Sequence, residues 1–476
     1  MQRLKELDHR IVSEFVLGNG CYERLVELCA LGTRFAGTLG EKLAQDYIVK
    51  QLSSYGLRTE IEPFEHLAWK RGTASLEIVD PVKRELVAVS LAGGPSTPEG
   101  GLECEVLSVG DGTPQEFEQY QGQIEDRIVF TTSFAPKTAC MPPRQCHRRT
   151  KYGRAVANGA KAFLFMNSQP GMLPQTGSTK QNEPGEIPAV TLPYEEGEVL
   201  RYHLRRGPVR VKLSIQNESF KHQTGNIVAE ITGQNPDEIV IIGGHYDCHD
   251  NSHGALDNGA GVAMLLEMAR ILSQSGVQFR KTIRFVFFAV EEMACVGSSF
   301  YVLRHREELD RIHLFMNIDG VGHPGGKTFD TQGFADLTQY IYGVSQDMGY
   351  DFPLPSPAFS GDSVSFVVGG VPTAALKSSR TPGMFNYVGK IETGEDRGWG
   401  HTPADTIDKI KPSDLYEGSI IAGRTLIRAA SHVGPIARYR NDDEVAAVLN
   451  HHGMAEVLSL MGWPTIPIGT KYSAAK

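Results

Sequence analysis

The clearest pattern in the chain is an alternation of apolar runs and amphipathic segments after about residue 235. The apolar runs are EIVIIGG (238–244), KTIRFVFFAV (281–290), IHLFMNID (312–319) and VPTAALK (371–377). Short runs of this kind predict strands that are buried on both faces of a sheet. The segments that repeat apolar residues at helical spacing are 259–272, 297–309 and 413–433. This order predicts an α/β fold with a mixed, mostly parallel sheet flanked by helices.

Other patterns precede and follow this core. Residues 41–57 have helical periodicity with Gly56 as a stop, and residues 57–69 alternate like a strand. From about Gly100 to Ser219, short β-like runs are separated by Gly, Pro and polar residues. We therefore predict three parts. They are a discontinuous core domain (1–100 and 220–433), a β-rich insert (101–219) and a C-terminal helical tail (434–476) that the core does not require.

Composition narrows the classes of function. A chain of 476 residues is too long for a single ordinary domain. Its composition, with 41% hydrophobic and 22% charged residues, is typical of folded proteins. The formal net charge of -9 argues against a nucleic-acid partner. No apolar run is long enough to span a bilayer, and the N-terminus lacks a signal-peptide pattern. We expect a cytoplasmic protein, or a secreted one if a leader was removed.

Cysteine usage agrees with a reducing compartment. The seven cysteines are an odd number scattered along the chain, which argues against a complete disulfide framework. Cys140 and Cys146, followed by His147, form the one local cluster, and their spacing is looser than that of zinc-finger pairs. We expect free thiols there, or a surface disulfide if the protein is exported.

The residues that could bind a metal ion or take part in catalysis follow the predicted strands. His245 ends the first strand, Glu291 and Glu292 end the second, and Asp319 ends the third. In an open α/β sheet the crevice beyond the carboxyl ends of the strands is the usual binding site. These side chains should therefore meet in one pocket, with His401 in a late glycine-rich loop as a further candidate ligand.

Distinct roles follow from local position. Asp247 lies two residues after His245, so it can orient the imidazole through its second nitrogen. Asp257 precedes a helix, where it is either an N-cap or a carboxylate that bridges two metal ions. Because adjacent side chains at a strand end diverge, one glutamate can bind metal while the other acts as general base. We expect His249, Asp250 and His253 to be solvated loop residues.

The order of these motifs resembles one family. HYD, GALDNGAG, EE, NIDG and HTPADT are similar to the motifs of the M28 family of co-catalytic zinc peptidases, and GTRFAGTLGEKLAQDYIVKQLSSYGL resembles its opening helix. The insert resembles a protease-associated domain through GQIEDRIVF, YGRAVANGAKAFLFMN and IPAVTLPYEEGEVLRYHLRRG. The resemblance implies the zinc exopeptidase fold and two Zn²⁺, with Co²⁺ or Mn²⁺ as alternatives. It implies the metal ligands His245, Asp257, Glu292, Asp319 and His401, with Asp257 as the bridge. It also implies Glu291 as general base and Asp247 as the residue that orients a ligand.

One motif departs from the family. Many relatives have Ser-Asp-His before the final strand, whereas this chain has SGDSVSF, with Ser363 at the position of the histidine. No catalytic role is therefore transferred to Ser360, Asp362 or Ser363.

The predicted function is a metal-dependent exopeptidase that hydrolyses peptides, with an aminopeptidase favoured. A carboxypeptidase or dipeptidase of the same fold is the first alternative, followed by a glutaminyl-cyclase-like acyltransferase and a non-catalytic binding protein. Acids at the pocket rim would hold a substrate amine and arginines a carboxylate. Both types of residue occur near His401, so the sequence does not decide between an aminopeptidase and a carboxypeptidase. It leaves homo-oligomerisation open as well. The acids and arginines near His401 are Glu392, Glu395, Asp396, Arg380 and Arg397.

Overall fold

Helices lie at both ends of the chain and between most of its strands. The computed structural model describes residues 2–135, 144–323, 325–352, 357–378, 398–466 and 468. The helices within these residues are α1 Gln2–Leu17, α2 Gly20–Ala30, α3 Leu39–Ser54, α4 Pro114–Gln119, α5 Arg148–Ala157, α6 Tyr194–Leu204, α7 Ala260–Ser273, α8 Val296–Arg304, α9 Ala335–Met348, α10 Ser363–Val368, α11 Pro412–Ser431, α12 Asp442–His451 and α13 Met454–Leu460.

The strands form two sheets. They are β1 Thr59–Lys70, β2 Ala74–Asp80, β3 Arg84–Leu86, β4 Val89–Ser90, β5 Leu102–Ser108, β6 Ile128–Thr132, β7 Ala162–Met166, β8 Ala189–Leu192, β9 Arg210–Ile215, β10 Glu218–Ile231, β11 Asn235–His245, β12 Lys281–Phe288, β13 Ile312–Asn317, β14 Lys327–Asp330 and β15 Thr373–Ser378. Each strand predicted from the apolar runs after residue 235 is present, as are the helices between them.

The first sheet has seven strands in the order β1-β10-β12-β11-β13-β15-β14. Its four central strands, β12-β11-β13-β15, are parallel, whereas β1, β10 and β14 pair antiparallel at the edges. The predicted mixed α/β fold is confirmed, with parallel pairing confined to the centre. β12 is buried along its whole length, as expected for a strand covered on both faces.

The second sheet has eight strands in the order β3-β2-β9-β5-β6-β7-β8-β4. It has its own apolar clusters, including Ile78, Phe130, Leu164 and Leu213. The sheet begins at Ala74, ahead of the boundary predicted at residue 101, because β2 pairs antiparallel with β9. The sequence pattern did not indicate this pairing, because the pairing of two strands that are far apart in the chain leaves no local signal in the sequence.

The two helices at the N-terminus, α1 and α2, were not predicted. Leu7, Ile11 and Phe15 are buried on one face of α1, which packs against α11. Charged residues between these apolar positions hide the four-residue spacing. Within the described residues, no helix is both long enough and apolar enough to cross a membrane.

Cys146 corrects the expectation of free thiols. It forms a disulfide and is buried, whereas Cys140 lies outside the described residues. The five free cysteines of the described part are Cys21, Cys29, Cys104, Cys248 and Cys295. Pairing depends on the approach of two Cα atoms, which sequence spacing does not determine.

The tail beyond residue 434 is two helices rather than one. Gly453 adopts a φ of 65° and separates α12 from α13. α13 packs closely on α5 of the second sheet's domain, since a Cβ atom at Gly153 would overlap the carbonyl oxygen of Leu460. The tail is therefore packed against the rest of the molecule.

A partly buried ionic cluster joins β1, β12 and the turn after α8, and it predicts a pH dependence of stability. His305 contacts Glu308 at 2.6 Å and Glu62 at 2.7 Å. Hydrogen bonding from His305, helped by Arg284, holds the pKa of Glu308 at about 2. Burial opposes a charge on His305, but its carboxylate partners outweigh this and raise its pKa.

The Glu308 contribution is present above the unfolded pKa near 4.5 and is lost as the pH falls toward 2. The His305 contribution is present below about 6.5 and is lost as the pH rises through the raised value. Glu308→Gln should therefore lower the free energy of unfolding by about 1–2 kcal/mol at pH 5.5, allowing for solvent screening. Urea denaturation should show this difference shrinking by pH 3. Glu307→Gln, at an exposed neighbouring position, should have little effect at either pH.

Candidate metal centre

Three parallel strands deliver their last residues to the same edge of the first sheet. His245 ends β11 and pairs with Phe288 of β12, while Gly243 pairs with Asn317 of β13. The residues that follow β12 and β13 include Glu291, Glu292 and Asp319. The register thus brings together side chains that are up to 74 positions apart in the sequence.

Asp257 lies between two histidines. Its Oδ1 is 3.2 Å from Nε2 of His245, and its Oδ2 is 3.1 Å from Nε2 of His401. The alternative of an N-cap is not what the structure shows, because the residue before α7 is Gly259 and makes no side-chain cap. Asp405 accepts hydrogen bonds from the backbone N–H groups of Leu256 and Asp257, which fixes the turn.

The remaining candidate ligands lie on either side of Asp257. Nε2 of His245 is 3.9 Å from Oδ1 of Asp319. Nε2 of His401 is 3.3 Å from Oε2 of Glu292. The five residues predicted as ligands therefore surround a common space. Two groups of three residues within this space have metal-binding spacing. One is His245, Asp257 and Glu292, and the other is His249, Glu292 and His401.

Asp247 ties the strand ends to each other. Its two carboxylate oxygens accept hydrogen bonds from the backbone N–H groups of Glu291 (3.0 Å) and Glu292 (3.2 Å). Its Oδ1 lies 3.4 Å from Nδ1 of His245, and its backbone oxygen lies 3.1 Å from the same nitrogen. Both contacts act on the second ring nitrogen, so Nε2 faces Asp257. Positioning of this kind was expected of Asp247, but its hold on the two glutamates was not.

The electrostatics of the site favour bound cations. Burial raises the pKa of Glu292 well above its usual range, and the carboxylates of Asp257 and Glu291 add to the effect. Burial also raises the pKa of Glu291. Burial would raise the pKa of Asp257 too, but hydrogen bonds from His245 and His401 hold it well below its usual value. Buried carboxylates need partners of opposite charge, and carboxylates with imidazoles are the donors that zinc prefers. The donor set therefore fits zinc.

The backbone is strained at several positions in the site, two of which are next to or among the candidate metal ligands. Val290, immediately before the glutamates, has a φ of 60°, and His401 has a φ of 63°. The left-handed region is unfavourable for β-branched residues above all, and such strain concentrates at functional sites. The turn at Val290 redirects the chain so that Glu292 is buried while Glu291 stays partly exposed in the pocket.

Several residues at the site were not predicted. His249 was expected in a solvated loop, yet it is buried with Nε2 2.7 Å from Oε2 of Glu292. Burial, with the charge of His401, holds the pKa of His249 well below its usual value. Asp405 belongs to the HTPADT motif, which was the available signal for it. Asp250 also departs from the expected solvated loop, since its carboxylate pairs with Arg71 at 2.6 Å.

The pocket at the metal centre has about 350 Å³ of open space. Its lining includes residues from outside the core domain. Arg144, His147 and Arg149 come from the insert, and Met461 and Trp463 come from the tail. The acids and arginines on which the polarity argument depended (Arg380, Glu392, Glu395, Asp396 and Arg397) lie outside the described residues. Asp362 and Ser363 are buried next to the site, and no role is assigned to them.

Convergent imidazoles and carboxylates beyond a parallel sheet define the class of α/β metallohydrolases. Comparison with known proteins narrows the class. Residues 226–421 match Peptidase family M28, and residues 82–200 match the PA domain. These matches confirm the resemblance seen in the motifs: the part of the chain after the insert is similar to family M28 peptidases, and the insert is similar to a PA domain. The protein is a metal-dependent exopeptidase.

The relatives with named activities include both an aminopeptidase and carboxypeptidases. The chain is 29% identical to aminopeptidase YwaD of Bacillus subtilis (strain 168) over 405 residues, or 82% of this chain and 79% of that protein. It is 28% identical to carboxypeptidase Q of Xenopus laevis over 375 residues, or 75% of this chain and 77% of that protein. Among solved structures, BSAP, a zinc aminopeptidase from Bacillus subtilis, aligns with a TM-score of 0.65 at 26% identity, covering 89% of this chain and 98% of that one.

Proposed function

We propose that this protein is an aminopeptidase that works with two zinc ions. The observation that carries the proposal is the position of Asp257, whose two carboxylate oxygens each face a different histidine at 3.2 and 3.1 Å. A carboxylate placed in this way can bridge two ions at the separation of about 3.5–4 Å that two-metal hydrolases use.

The ligands then divide into two sets. His245 and Asp319 would hold one ion with Oδ1 of Asp257. His401 and Glu292 would hold the other with Oδ2. His249 lies 2.7 Å from Glu292 and has metal-binding spacing with Glu292 and His401, so it could support the second set. Support for zinc comes from the donor set and from the zinc aminopeptidase among the solved structures.

Glu291 has the position of a general base. It lines the pocket and is partly exposed. When bound, zinc ions lower the pKa of water and polarise the substrate carbonyl. Glu291 takes the proton from the attacking water and returns it to the leaving amine.

The aminopeptidase direction is supported by aminopeptidase YwaD among the relatives and by the zinc aminopeptidase BSAP among the solved structures. The carboxypeptidase Q relative supports the opposite direction on the same site. Substrates blocked at one end separate the two. An aminopeptidase should hydrolyse a peptide whose carboxyl group is amidated and spare one whose amine is acetylated, whereas a carboxypeptidase should show the reverse.

Metal analysis provides the test of the two-ion centre. The zinc-replete protein should contain close to two ions per chain, because the bridging carboxylate and its flanking ligands form two sets. Dialysis against a chelator should remove peptidase activity, and added zinc should restore it. Elemental analysis combined with a peptidase assay measures both. A single tightly bound ion in an active protein would contradict the two-ion proposal, and activity that survives complete removal of metal would contradict the metallopeptidase function.

A further inference from the structure

His249 has a buried imidazole at the metal centre. It is 1% exposed, and neither of its ring nitrogens makes a hydrogen bond in the part of the chain that the structure describes. Nε2 of His249 lies 2.7 Å from Oε2 of Glu292, but the direction of approach does not suit a hydrogen bond. Buried polar atoms are normally satisfied by hydrogen bonds, water or ions. The position of this nitrogen beside a carboxylate oxygen therefore indicates a shared cation.

His245, one of the five candidate ligands, has the same arrangement. Its Nε2 lies 3.2 Å from Oδ1 of Asp257 and makes no hydrogen bond to any described residue. Oε1 of Glu292 is a further buried atom that receives no hydrogen bond within the described ranges. Two imidazoles of this chain thus face carboxylate oxygens in the manner of metal ligands. Only His245 belongs to the set that the sequence predicted.

His249, Glu292 and His401 are close enough to hold one ion. Nε2 of His401 is 3.3 Å from the same Oε2 of Glu292, and the ring centroids of the two histidines are 4.2 Å apart. One donor atom from each of the three residues lies within 4.8 Å of the others, and all three residues are buried. Zinc bonds of about 2.0–2.2 Å place two donors of one ion at most about 4.4 Å apart. The separation of each imidazole from Glu292 is below this limit.

The loop that carries His249 is held by contacts to the N-terminal part of the chain. Oγ1 of Thr33 donates to the carbonyl of His249 at 3.0 Å. Arg71 donates two hydrogen bonds to the carboxylate of Asp250, both at 2.6 Å. The ring of Phe35 stacks on the imidazole, with the centroids 6.0 Å apart. Because these contacts fix the ring before a metal binds, little ordering is needed on binding.

We propose that His249 is a sixth metal ligand, which joins His401 and Glu292 on one ion and makes that ion the first to bind. This set then contains two imidazoles, whereas the set of His245 and Asp319 contains one. Imidazole nitrogen suits zinc, whereas carboxylate oxygen suits Mn²⁺ and Mg²⁺ as well. An additional imidazole that is already in place therefore strengthens zinc binding at the set that has it. The inference rests on the two-zinc centre proposed above.

X-ray absorption at the zinc edge tests the proposal, because imidazole rings bound to zinc can be counted from their scattering. With one equivalent of zinc, the wild-type protein should have about two imidazoles on the ion, and His249→Phe should have about one. His253→Phe, at an exposed position of the same loop, is the matched control and should keep two. A single imidazole in the singly loaded wild-type protein would overturn the proposal. This measurement needs no variant, so it holds even if His249→Phe does not fold.

Zinc affinity provides a second measurement. His249→Phe should weaken binding of the first ion by at least about 10- to 100-fold, since even the partners of metal ligands contribute this much. Competition with a chelating dye measures the affinity, and His253→Phe should bind zinc like the wild type. Unchanged affinity in folded His249→Phe protein would contradict ligation. Reduced affinity with an unchanged number of imidazoles would show that His249 only orients Glu292, which also contradicts it.

These results are independent of peptidase activity. If the protein hydrolyses peptides with two zinc ions bound but has one imidazole on each ion, the proposed function stands and the sixth ligand fails. If His249 is bound to zinc in a protein that hydrolyses no peptide, the sixth ligand stands and the proposed function fails.

Discussion

Replacing Glu291 with glutamine should reduce kcat by about 10²- to 10⁴-fold, the usual cost of losing a general base, while the zinc content stays at the wild-type level. Glutamine keeps the size of the side chain and its place in the pocket but cannot accept the proton of water. The hydrogen bonds that Asp247 accepts from the backbone N–H groups at 291 and 292 do not depend on the side chain, so the turn should be preserved. Steady-state kinetics and elemental analysis on the same preparation measure the two quantities.

Glu292→Gln is the matched variant, because the two glutamates are adjacent and chemically identical. Its carboxylate lies 3.3 Å from His401 and 2.7 Å from His249, at the position of a ligand. An amide oxygen is a poorer zinc ligand than a carboxylate. This variant should therefore lose part of its zinc and regain activity in excess zinc. If Glu291→Gln were the depleted protein and Glu292→Gln the fully loaded one, the roles of base and ligand would be exchanged.

Asp257→Asn should have a larger effect on the metal than any other single change, because one carboxylate is shared by both ligand sets. The protein should bind fewer than two ions, and its activity should fall at least as far as in Glu291→Gln, by about 10²-fold or more. Zinc titration with a competing chelator measures the loss of affinity. Asp408→Asn, at an exposed position near Asp405, should bind zinc like the wild type. A fully loaded and active Asp257→Asn protein would exclude a bridging role.

The sequence predicted the central part of the fold and the ligand cluster because both depend on local signals. Apolar runs such as 238–244 mark strands that are buried on both faces, and three of the four runs lead to a candidate site residue such as His245. Parallel pairing then brings these ends together without any knowledge of the loops. Their roles as ligands, base and bridge stay predictions until the variants are measured.

What could not be predicted depends on contacts between distant segments. Arg149 lines the pocket together with Glu291. No helical or strand pattern in the sequence relates these two residues. Trp463 comes from a tail that appeared dispensable, yet it lines the pocket, and the tail is anchored by the hydrogen bond from the Thr465 N–H to Gln181. The Nε2 amide of Gln181 in turn donates to the carbonyl of Ala294, just beyond the glutamates. Such relations follow from tertiary packing rather than from periodicity.

The two hydrogen bonds between Thr176 and His401 have a consequence for the modular evolution of the molecule. Inserted domains are commonly regarded as accessories that can be exchanged between homologues by recombination at their ends. Here a backbone carbonyl of the insert fixes the orientation of a histidine in the host, since it accepts a hydrogen bond from Nδ1 and leaves Nε2 facing Asp257. A chimaera with a foreign insert would therefore have to supply the same carbonyl. The gene segments for host and insert are expected to have evolved as one unit of selection.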